Sequence, residues 1–255
     1  MKLTSQLVIS STAIAGAFMA VACVAPDQGA SLRESSAGAT TSQNGLSSVN
    51  GLSSVNGLSS VNGLSSVNGL SSVNGLMTTA DGRNTVSYLI KCALPAGRSI
   101  TKKDQYGASY TFAGQLGFGP GWENGACDLT CQGYVTACMM AHINTAGVHI
   151  PLWLDAASPN IGWGHSATYP HQEGSFFGNI FTSPPKAYYC NGKDFNAGVV
   201  PGRLGAGQTN APYTNPFAGG TGFCADSCIA APAPNSGDGY KSCAGNNNIV
   251  TVWRL

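Results

Sequence analysis

The spacing of hydrophobic residues changes twice along this chain, and the changes divide it into three parts. A largely apolar stretch occupies residues 7–22. The segment that follows, up to about Thr79, has no aromatic residue, and its apolar side chains recur regularly only within a six-residue repeat. Later apolar residues fall at the steps expected for helices and strands. We therefore predict a signal peptide at 1–22, a linker at 23–79 and a globular domain at 80–255.

Two stretches of the domain place apolar side chains three and four residues apart, which is the spacing of one helix face. The first is TVSYLIKCAL, which Pro95 closes. The second, CDLTCQGYVTACMMAHIN, carries three cysteines, Val135 and His142 along a single stripe. We expect this second helix to form the centre of the domain.

Shorter runs rich in β-branched and aromatic residues predict strands. Two of them flank DQYG, which indicates a hairpin, and GVHIPLWLD has the pattern of a buried strand. SFFGNIF, KAYYC and NNIVTVWRL predict three more, whereas residues 202–235 have the Gly, Pro, Asn and Ala content of loops. The expected fold class is therefore α+β, a small mixed domain with two helices and short antiparallel strands.

The repeat unit NGLSSV fills Asn44 to Leu76 with five full copies and half of a sixth. Its Leu and Val lie three residues apart, so they would point to opposite faces of a strand, and an Asn-Gly pair in every unit disfavours a helix. We predict a flexible linker that spans about 30 Å on average and about 110 Å when fully stretched. A short β-helix is the alternative, because hexapeptide repeats form such coils.

The first 23 residues end in AVAC, in which two small residues flank Val21 directly before Cys23. This pattern resembles the lipobox of bacterial lipoproteins, although leucine is commoner than alanine at the position of Ala20. The resemblance implies cleavage before Cys23, a lipid on its sulfur and anchoring in a membrane. Val24 replaces the aspartate that retains lipoproteins of enteric bacteria in the inner membrane, which favours the outer membrane or cell surface.

The chain has nine cysteines, an odd number for an exported protein. Lipidation of Cys23 leaves eight, which an oxidising compartment would join as four disulfides. These eight are Cys92, Cys127, Cys131, Cys138, Cys190, Cys224, Cys228 and Cys243. Two CxxxC pairs suggest a metal site as the alternative, but zinc sites use tighter spacing and disulfides are favoured.

Helix geometry restricts the pairing of three of these cysteines. Cβ atoms four residues apart on a helix lie about 5–6 Å from each other, whereas a disulfide needs about 3.8 Å. We therefore expect Cys127, Cys131 and Cys138 to bond to partners elsewhere rather than to one another. An N-cap at Asp128 would leave Cys127 outside the helix and weaken that restriction.

Charged residues make up only 9% of the chain, and its net charge is +1. Nucleic-acid binding requires clustered positive charge, so we exclude that class of partner. No motif in the sequence calls for a cofactor, and we assign none.

Candidate catalytic residues lie in WGHSATYPHQEGSFFGN, which contains His165, His171 and Glu173. Two imidazoles and a carboxylate at this spacing form a candidate site for an exported hydrolase. GHSAT resembles a nucleophile elbow but has Thr168 where glycine is required. Glu123, Asp155 and Glu173 are candidate carboxylates for a paired acid and base, but no spacing ties any two of them together.

The same segment is rich in aromatic side chains, among them Trp163, Tyr169 and Phe176. Aromatic rings on a surface stack against the apolar faces of sugars and other ligands. We favour a surface-exposed lipoprotein whose disulfide-bonded domain binds a cell-envelope ligand, either a polysaccharide or a protein. An exported hydrolase and a structural envelope component are the alternatives, and the sequence favours binding over catalysis.

Overall fold

The fold is defined by a computed structural model of the chain. It describes residues 40–44, 64, 75–143, 150–182, 184–195, 197, 219–235 and 237–255. All of them belong to one compact unit, Arg33–Leu255. The predicted signal peptide, Cys23 and most of the repeat lie outside the described residues.

Helices and strands alternate irregularly along the chain, which confirms the predicted α+β class. The helices are α1 (Ala80–Ala93), α2 (Leu129–Ala141) and the short α3 (Cys224–Ser227), with 3-10 turns at Leu76–Thr78 and Pro120–Glu123. The strands are β1 (Thr40–Asn44), β2 (Ser99–Lys103), β3 (Ser109–Ala113), β4 (Ile150–Asp155), β5 (His171–Asn179), β6 (Lys186–Asn191), β7 (Gly219–Phe223), β8 (Cys228–Ala230), β9 (Tyr240–Cys243) and β10 (Val250–Arg254).

Six strands form one sheet in the order β1-β4-β10-β5-β6-β7. Neighbouring strands are antiparallel except β6 and β7, which are parallel. Two further hairpins, β2-β3 and β8-β9, lie outside this sheet. The hairpin predicted around DQYG is β2-β3, and the four strands predicted after the second helix correspond to β4, β5, β6 and β10.

The sequence marks both ends of helix α1, with an N-cap residue at its start and a proline just after its end. The Thr79 hydroxyl accepts a hydrogen bond from the Gly82 N–H at 3.0 Å, which satisfies one free donor of the first turn. At the other end Leu94 is extended, because the proline that follows it disfavours helical backbone in the preceding residue. The helix is thus confirmed, and it starts more than one turn before the apolar spacing begins.

Helix α2 lies at the centre of the domain, as predicted. Ten of its thirteen residues are buried, and it packs against α1, β5 and β10. The Thr136 hydroxyl accepts a hydrogen bond from the Ile180 N–H at 3.1 Å, which attaches the helix to the end of β5. A helix buried on almost every side cannot be amphipathic, and this explains its nearly uniform apolar composition.

Both faces of the sheet are covered. Phe176 and Phe177 are adjacent in β5 and therefore point to opposite faces. Phe176 belongs to the main core with α1 and α2, whereas Phe177 belongs to a second, smaller cluster with Cys190 and Ile249. The remaining buried members of that cluster are Cys224 and Cys243, so the segment from β7 to β9 covers this second face.

Parts of the predicted linker lie on the domain. Strand β1 pairs antiparallel with β4 at one edge of the sheet. Leu64, within the repeat, is buried, and its N–H donates to the carbonyl of Trp122 at 2.7 Å. Leu76, the last residue of the repeat, is also buried. Because β1 already lies on the sheet before most of the repeat, the length of the repeat does not set the distance from the domain to an anchor at Cys23.

Four disulfides join the eight cysteines of the domain, as predicted. The bridges are Cys92–Cys138 between α1 and α2, Cys127–Cys131 at the start of α2, Cys190–Cys224 between β6 and α3, and Cys228–Cys243 between β8 and β9. One bridge therefore fixes the main core, and two fix the cover of the second face.

The pairing of Cys127 with Cys131 contradicts our expectation that these cysteines bond to partners elsewhere. The Asp128 carboxylate accepts a hydrogen bond from the Cys131 N–H at 2.8 Å, which makes Asp128 the N-cap of α2. Cys127 therefore precedes the helix, and the helical Cβ spacing does not apply to it. Its Cα lies 5.2 Å from that of Cys131, within the usual range for a disulfide.

Candidate functional site

The residues of the predicted His/His/Glu site do not form a common cluster. His165 lies in the loop between β4 and β5, His171 begins β5, and Glu173 is buried further along that strand. The Glu173 Oε1 faces Arg254 instead, 3.9 Å from its Nε. This arrangement does not bring together the three side chains that such a hydrolase would need.

Arg254 gives Glu173 a structural role. The Arg254 side chain is buried, and its Nη2 donates to the carbonyls of Phe195 at 3.0 Å and Ala197 at 2.8 Å. These bonds hold the segment after β6 against the sheet. A buried guanidinium requires a nearby negative charge, which Glu173 supplies.

The three aromatic candidates lie in different environments. Phe176 is packed in the main core, so it is not available to a ligand. Trp163 and Tyr169 are partly exposed, and Tyr169 packs on Trp153 with the ring centroids 5.9 Å apart. The binding surface predicted from the sequence therefore retains only Trp163 and Tyr169.

Two tryptophans of the sheet hold the loop that carries these rings, residues 157–170. The Trp153 Nε1 donates to the carbonyl of Gly164 at 2.7 Å. The His165 ring stacks on Trp253 with a centroid distance of 3.7 Å and an angle of 7° between the planes. Both tryptophans are buried, so the 157–170 loop rests on a well-packed base.

Trp253 lies at the centre of a group of side chains that we call the Trp253 cluster: Asp155, His165, Asp238 and Trp253. The Trp253 Nε1 donates to Asp155 Oδ2 at 2.7 Å, and the His165 Nδ1 lies 3.2 Å from Asp238 Oδ1. The side chains of His165 and Asp238 are 28% and 20% exposed, whereas Asp155 and Trp253 are fully buried. The cluster thus extends from the interior to the surface.

Strand register places the buried part of this cluster. Asp155 at the end of β4 is opposite Thr251 of β10, and Thr251 is opposite Ser175 of β5. The hydroxyl oxygens of Ser175 and Thr251 lie 2.8 Å apart, and both residues are fully buried. This face of the sheet therefore has a row of polar side chains at the end where Trp253 lies, in contrast to the apolar cluster around Phe177.

Gln172 attaches residues 237–240 to the sheet. Its Nε2 donates to the backbone carbonyl of Asp238 at 3.0 Å, and its Oε1 accepts from the Lys193 N–H at 3.3 Å and the Tyr240 hydroxyl at 3.4 Å. Gln172 itself is buried in β5. These bonds fix the backbone of Asp238 and so place its carboxylate beside His165.

Asp155 is a buried acid. Burial raises the pKa of Asp155 well above its usual range, the hydrogen bond from Trp253 opposes this shift, and the nearby charge of Asp238 adds to it. A side-chain hydrogen bond between Thr251 and the Asp155 carboxyl also lowers this pKa, by less than the bond from Trp253. Gly239 covers the Asp155 carboxyl so closely that a β-carbon there would collide with Oδ1. Asp155 therefore supports Trp253 from the interior of the domain and is not accessible to a ligand.

The raised pKa of Asp155 predicts a pH dependence of stability. In the unfolded chain this carboxyl has the usual aspartate pKa of about 3.9. In the folded protein its pKa is higher, so it keeps its proton to a higher pH. Between these two pKa values the folded state binds more protons, so stability falls as pH rises, by at most about 1.4 kcal/mol per pH unit. Asp155→Asn retains the acceptor for Trp253 and cannot ionise, so we expect it to gain stability relative to wild type as pH rises.

Urea unfolding of both proteins between pH 4 and pH 8 measures this difference. Asp226→Asn removes an exposed carboxyl of α3 and is the control for the loss of one charge. Parallel stability curves for wild type and Asp155→Asn would contradict the prediction.

The exposed part of the site is suited to binding. Trp163 and Tyr169 offer flat apolar rings, and the His165–Asp238 pair offers a hydrogen-bond donor and acceptor in the same loop region. Lys193 is exposed, with its Nζ 5.4 Å from the Trp253 ring centroid. Partly exposed aromatic rings and a polar pair therefore occur in, or against, the same loop.

Sequence reasoning missed Asp238 and Trp253 as parts of a site. Asp238 lies just after the loop-rich region, where no periodic pattern marks it, and Trp253 was recognised only as part of the final strand. A signal was present in GVHIPLWLD, where Asp155 ends an otherwise apolar strand. A carboxyl group in that position needs a buried donor, and the nearest candidates are indole and hydroxyl groups of neighbouring strands.

No family model, curated protein or solved structure matches this chain. Among the described residues, no helix is both long enough and apolar enough to cross a membrane. The function is therefore argued from the residues of the site and from the sequence.

Proposed function

We propose that this protein is an exported lipoprotein whose disulfide-bonded domain binds a polysaccharide of the cell envelope. The observation that carries the proposal is the partly exposed pair Trp163 and Tyr169 in the loop that also carries His165, paired with Asp238. Sugar rings have apolar faces that stack on aromatic side chains and hydroxyl groups that bond to carboxylates and imidazoles. This surface offers both kinds of contact.

A polysaccharide fits this surface better than a protein does. Protein interfaces are centred on apolar residues from which charged groups are depleted. Here the aromatic rings share their loop with His165, which pairs with Asp238, and Lys193 beside Trp253 is exposed. The 157–170 loop is also held by Trp153 and Trp253, and a preformed surface avoids the entropic cost of ordering a loop upon binding.

The anchor is the lipid expected on Cys23. Residues 24–39 then connect it to β1, across at most roughly 55 Å if fully extended. This spacer keeps the domain near the membrane surface, where a polysaccharide of the envelope lies within reach. Val24 after the cysteine favours the outer membrane or cell surface as the location.

Binding is tested with the mature chain carrying Cys23→Ser, so that lipid does not contribute. Insoluble peptidoglycan and soluble envelope polysaccharide are the probes, in a co-sedimentation assay with competition. We expect Trp163→Ala and Tyr169→Ala each to weaken binding about 10-fold, since loss of one stacked ring removes about 1.4 kcal/mol.

Tyr106→Ala is the matched control, because Tyr106 is an 86% exposed aromatic residue in the separate β2-β3 hairpin. It should bind like the wild type. Equal binding by wild type and Trp163→Ala, or equal losses in Trp163→Ala and Tyr106→Ala, would refute the proposed surface.

Lipidation is tested separately by growing the producing bacterium with an alkyne-tagged fatty acid. The wild-type chain should take up the label and fractionate with membranes, because several acyl chains form a lasting anchor. Cys23→Ala should lose the label and leave the membrane fraction. A Cys23→Ala chain that is still labelled would remove the anchor from the proposal without affecting the binding surface.

A further inference from the structure

Two of the disulfides lie side by side beneath the second face of the sheet. The Sγ atoms of Cys190 and Cys228, which belong to different bridges, are 3.5 Å apart. Both bridges border the small apolar cluster around Phe177, and they fasten β6 to α3 and β8 to β9. Neither the anchor nor the proposed binding surface requires two bridges in contact.

The four cysteines of these two bridges differ in exposure. Cys190, Cys224 and Cys243 are at most 2% exposed, whereas Cys228 is partly exposed at the junction of α3 and β8. Its neighbour Ile229 is 57% exposed. A thiol from outside therefore reaches Cys228 before any other sulfur of the pair of bridges.

We infer that Cys228 is an entry site for thiol–disulfide exchange, through which an external dithiol rearranges the two adjacent bridges. The dithiol is a small molecule or protein with two neighbouring thiols, such as a disulfide oxidoreductase presents. Exchange then passes from Cys228 to Cys190 because their sulfurs are already in contact.

The first stage reduces one bridge. A thiolate of the dithiol attacks Cys228 Sγ, the Cys228–Cys243 bond breaks, and Cys243 leaves as a thiolate that takes a proton from water. The second thiolate of the dithiol then attacks the other dithiol sulfur, which is bonded to Cys228 in the mixed disulfide. This attack forms a disulfide within the dithiol and releases Cys228 as a thiolate. Two electrons have moved from the dithiol, now a disulfide, to the Cys228–Cys243 bridge.

The second stage exchanges partners without further electron transfer. The Cys228 thiolate attacks Cys190 Sγ, and the Cys190–Cys228 bond forms as the Cys190–Cys224 bond breaks. Cys224 leaves as a thiolate and is protonated. The product has one bridge between β6 and β8 and two thiols, at Cys224 and Cys243.

The bridge in the main core provides an internal comparison. Cys92 and Cys138 are fully buried, and the equally buried His142 lies beside both sulfurs. An attacking thiol cannot reach either sulfur without opening the core. This bridge should therefore react last.

Two single variants test the exchange from opposite directions. Cys243→Ser leaves Cys228 as a thiol next to the Cys190–Cys224 bridge, and Cys224→Ser leaves Cys190 as a thiol next to Cys228–Cys243. After incubation near pH 8, acid quenching, alkylation and peptide mass spectrometry, we expect a Cys190–Cys228 bridge in both. Cys131→Ser is the control, in which Cys127 should be alkylated while the other three bridges stay intact.

Wild-type protein treated with limiting dithiothreitol gives a test that does not depend on how the variants fold. We expect peptides joined through Cys190 and Cys228, with Cys224 and Cys243 alkylated, before any alkylation of Cys92 and Cys138. The inference fails if Cys228 and Cys243 are alkylated while Cys190–Cys224 remains intact at every dithiothreitol level. It also fails if the Cys92–Cys138 bridge opens first.

Discussion

Replacing Trp253 with alanine is expected to lower the free energy of unfolding by about 4 kcal/mol, in the range for loss of a buried tryptophan. Trp253 is fully buried between β4 and β5, and the indole carries three interactions at once. Its ring packs in the core, its Nε1 donates to Asp155 Oδ2, and one ring face supports His165. Urea unfolding followed by far-ultraviolet circular dichroism measures the loss without depending on tryptophan fluorescence.

Trp253→Phe separates the hydrogen bond from the stacking. Phenylalanine retains an aromatic face for His165 but leaves Asp155 Oδ2 without its indole donor. We expect a loss of about 2 kcal/mol, from one buried hydrogen bond and a small cavity. Removing a bond that lowers the pKa of Asp155 also raises that pKa further, so the destabilisation should be larger at pH 8 than at pH 4.

Trp122→Phe is the matched control, because Trp122 is also buried and its ring packs edge-on against Phe181. It should cost stability without changing how stability depends on pH, since Asp155 keeps its donor. If Trp253→Phe were as stable as wild type at both pH values, the Trp253 bond to Asp155 would have no energetic role and the account of the cluster would be wrong.

The same variants connect stability with the proposed binding surface. Trp253 and Trp153 hold the 157–170 loop, through the His165 ring and the Gly164 carbonyl. Loss of Trp253 should therefore weaken polysaccharide binding at temperatures where the domain is still folded, although the side chain itself is fully buried. Trp253→Phe should bind more tightly than Trp253→Ala because it preserves the stacking with His165.

The elements that the sequence predicted are those specified by local spacing. Helix α1 follows from apolar residues on one face and a proline after its end, and β4 follows from an apolar run that leads to Asp155. Such patterns depend on neighbours within one turn or one strand, so a single sequence contains the information. The α+β class followed directly from the order of these elements.

The pairing of the cysteines could not be deduced in the same way. The number of bridges followed from counting, but the Cys127–Cys131 pair depends on whether the helix begins before or after Asp128. Helix boundaries are uncertain by one or two residues, and a shift of one residue decides whether helical Cβ spacing applies to Cys127. The carboxylate of Asp128, which caps the helix, was the feature that determined the outcome.

The Trp253 cluster illustrates a second limit. Its members lie at positions 155, 165, 238 and 253, and they meet because β10 lies between β4 and β5 in the sheet. Strand order and register are long-range properties, so no spacing in the sequence connects Asp155 with Trp253. The sequence did single out residues 163–179 for their histidines and aromatic rings, and in the structure His165, Trp163 and Tyr169 of that segment are exposed or partly exposed in the 157–170 loop.

Removal of the Cys92–Cys138 bridge is expected to have an effect as large as that of Trp253→Ala. The two cysteines are 46 residues apart, and closing a loop of that length reduces the entropy of the unfolded chain by an amount equivalent to about 4 kcal/mol. Replacing both with alanine keeps the site apolar, so the main change is loss of the link between α1 and α2. We expect the free energy of unfolding to fall by about 4 kcal/mol in urea at fixed pH.

The double variant of Cys127 and Cys131 is the matched control, because their bridge closes a loop of only 4 residues and should contribute about 2 kcal/mol. The expected order of the two losses in free energy of unfolding tests the chain-entropy mechanism. Both double variants remove one disulfide, and they differ chiefly in loop length. An equal or larger loss on removing Cys127–Cys131 would show that chain entropy does not govern these bridges. In that case local contacts at the start of α2 would dominate instead, such as the N-cap bond from the Cys131 N–H to the Asp128 carboxylate at 2.8 Å.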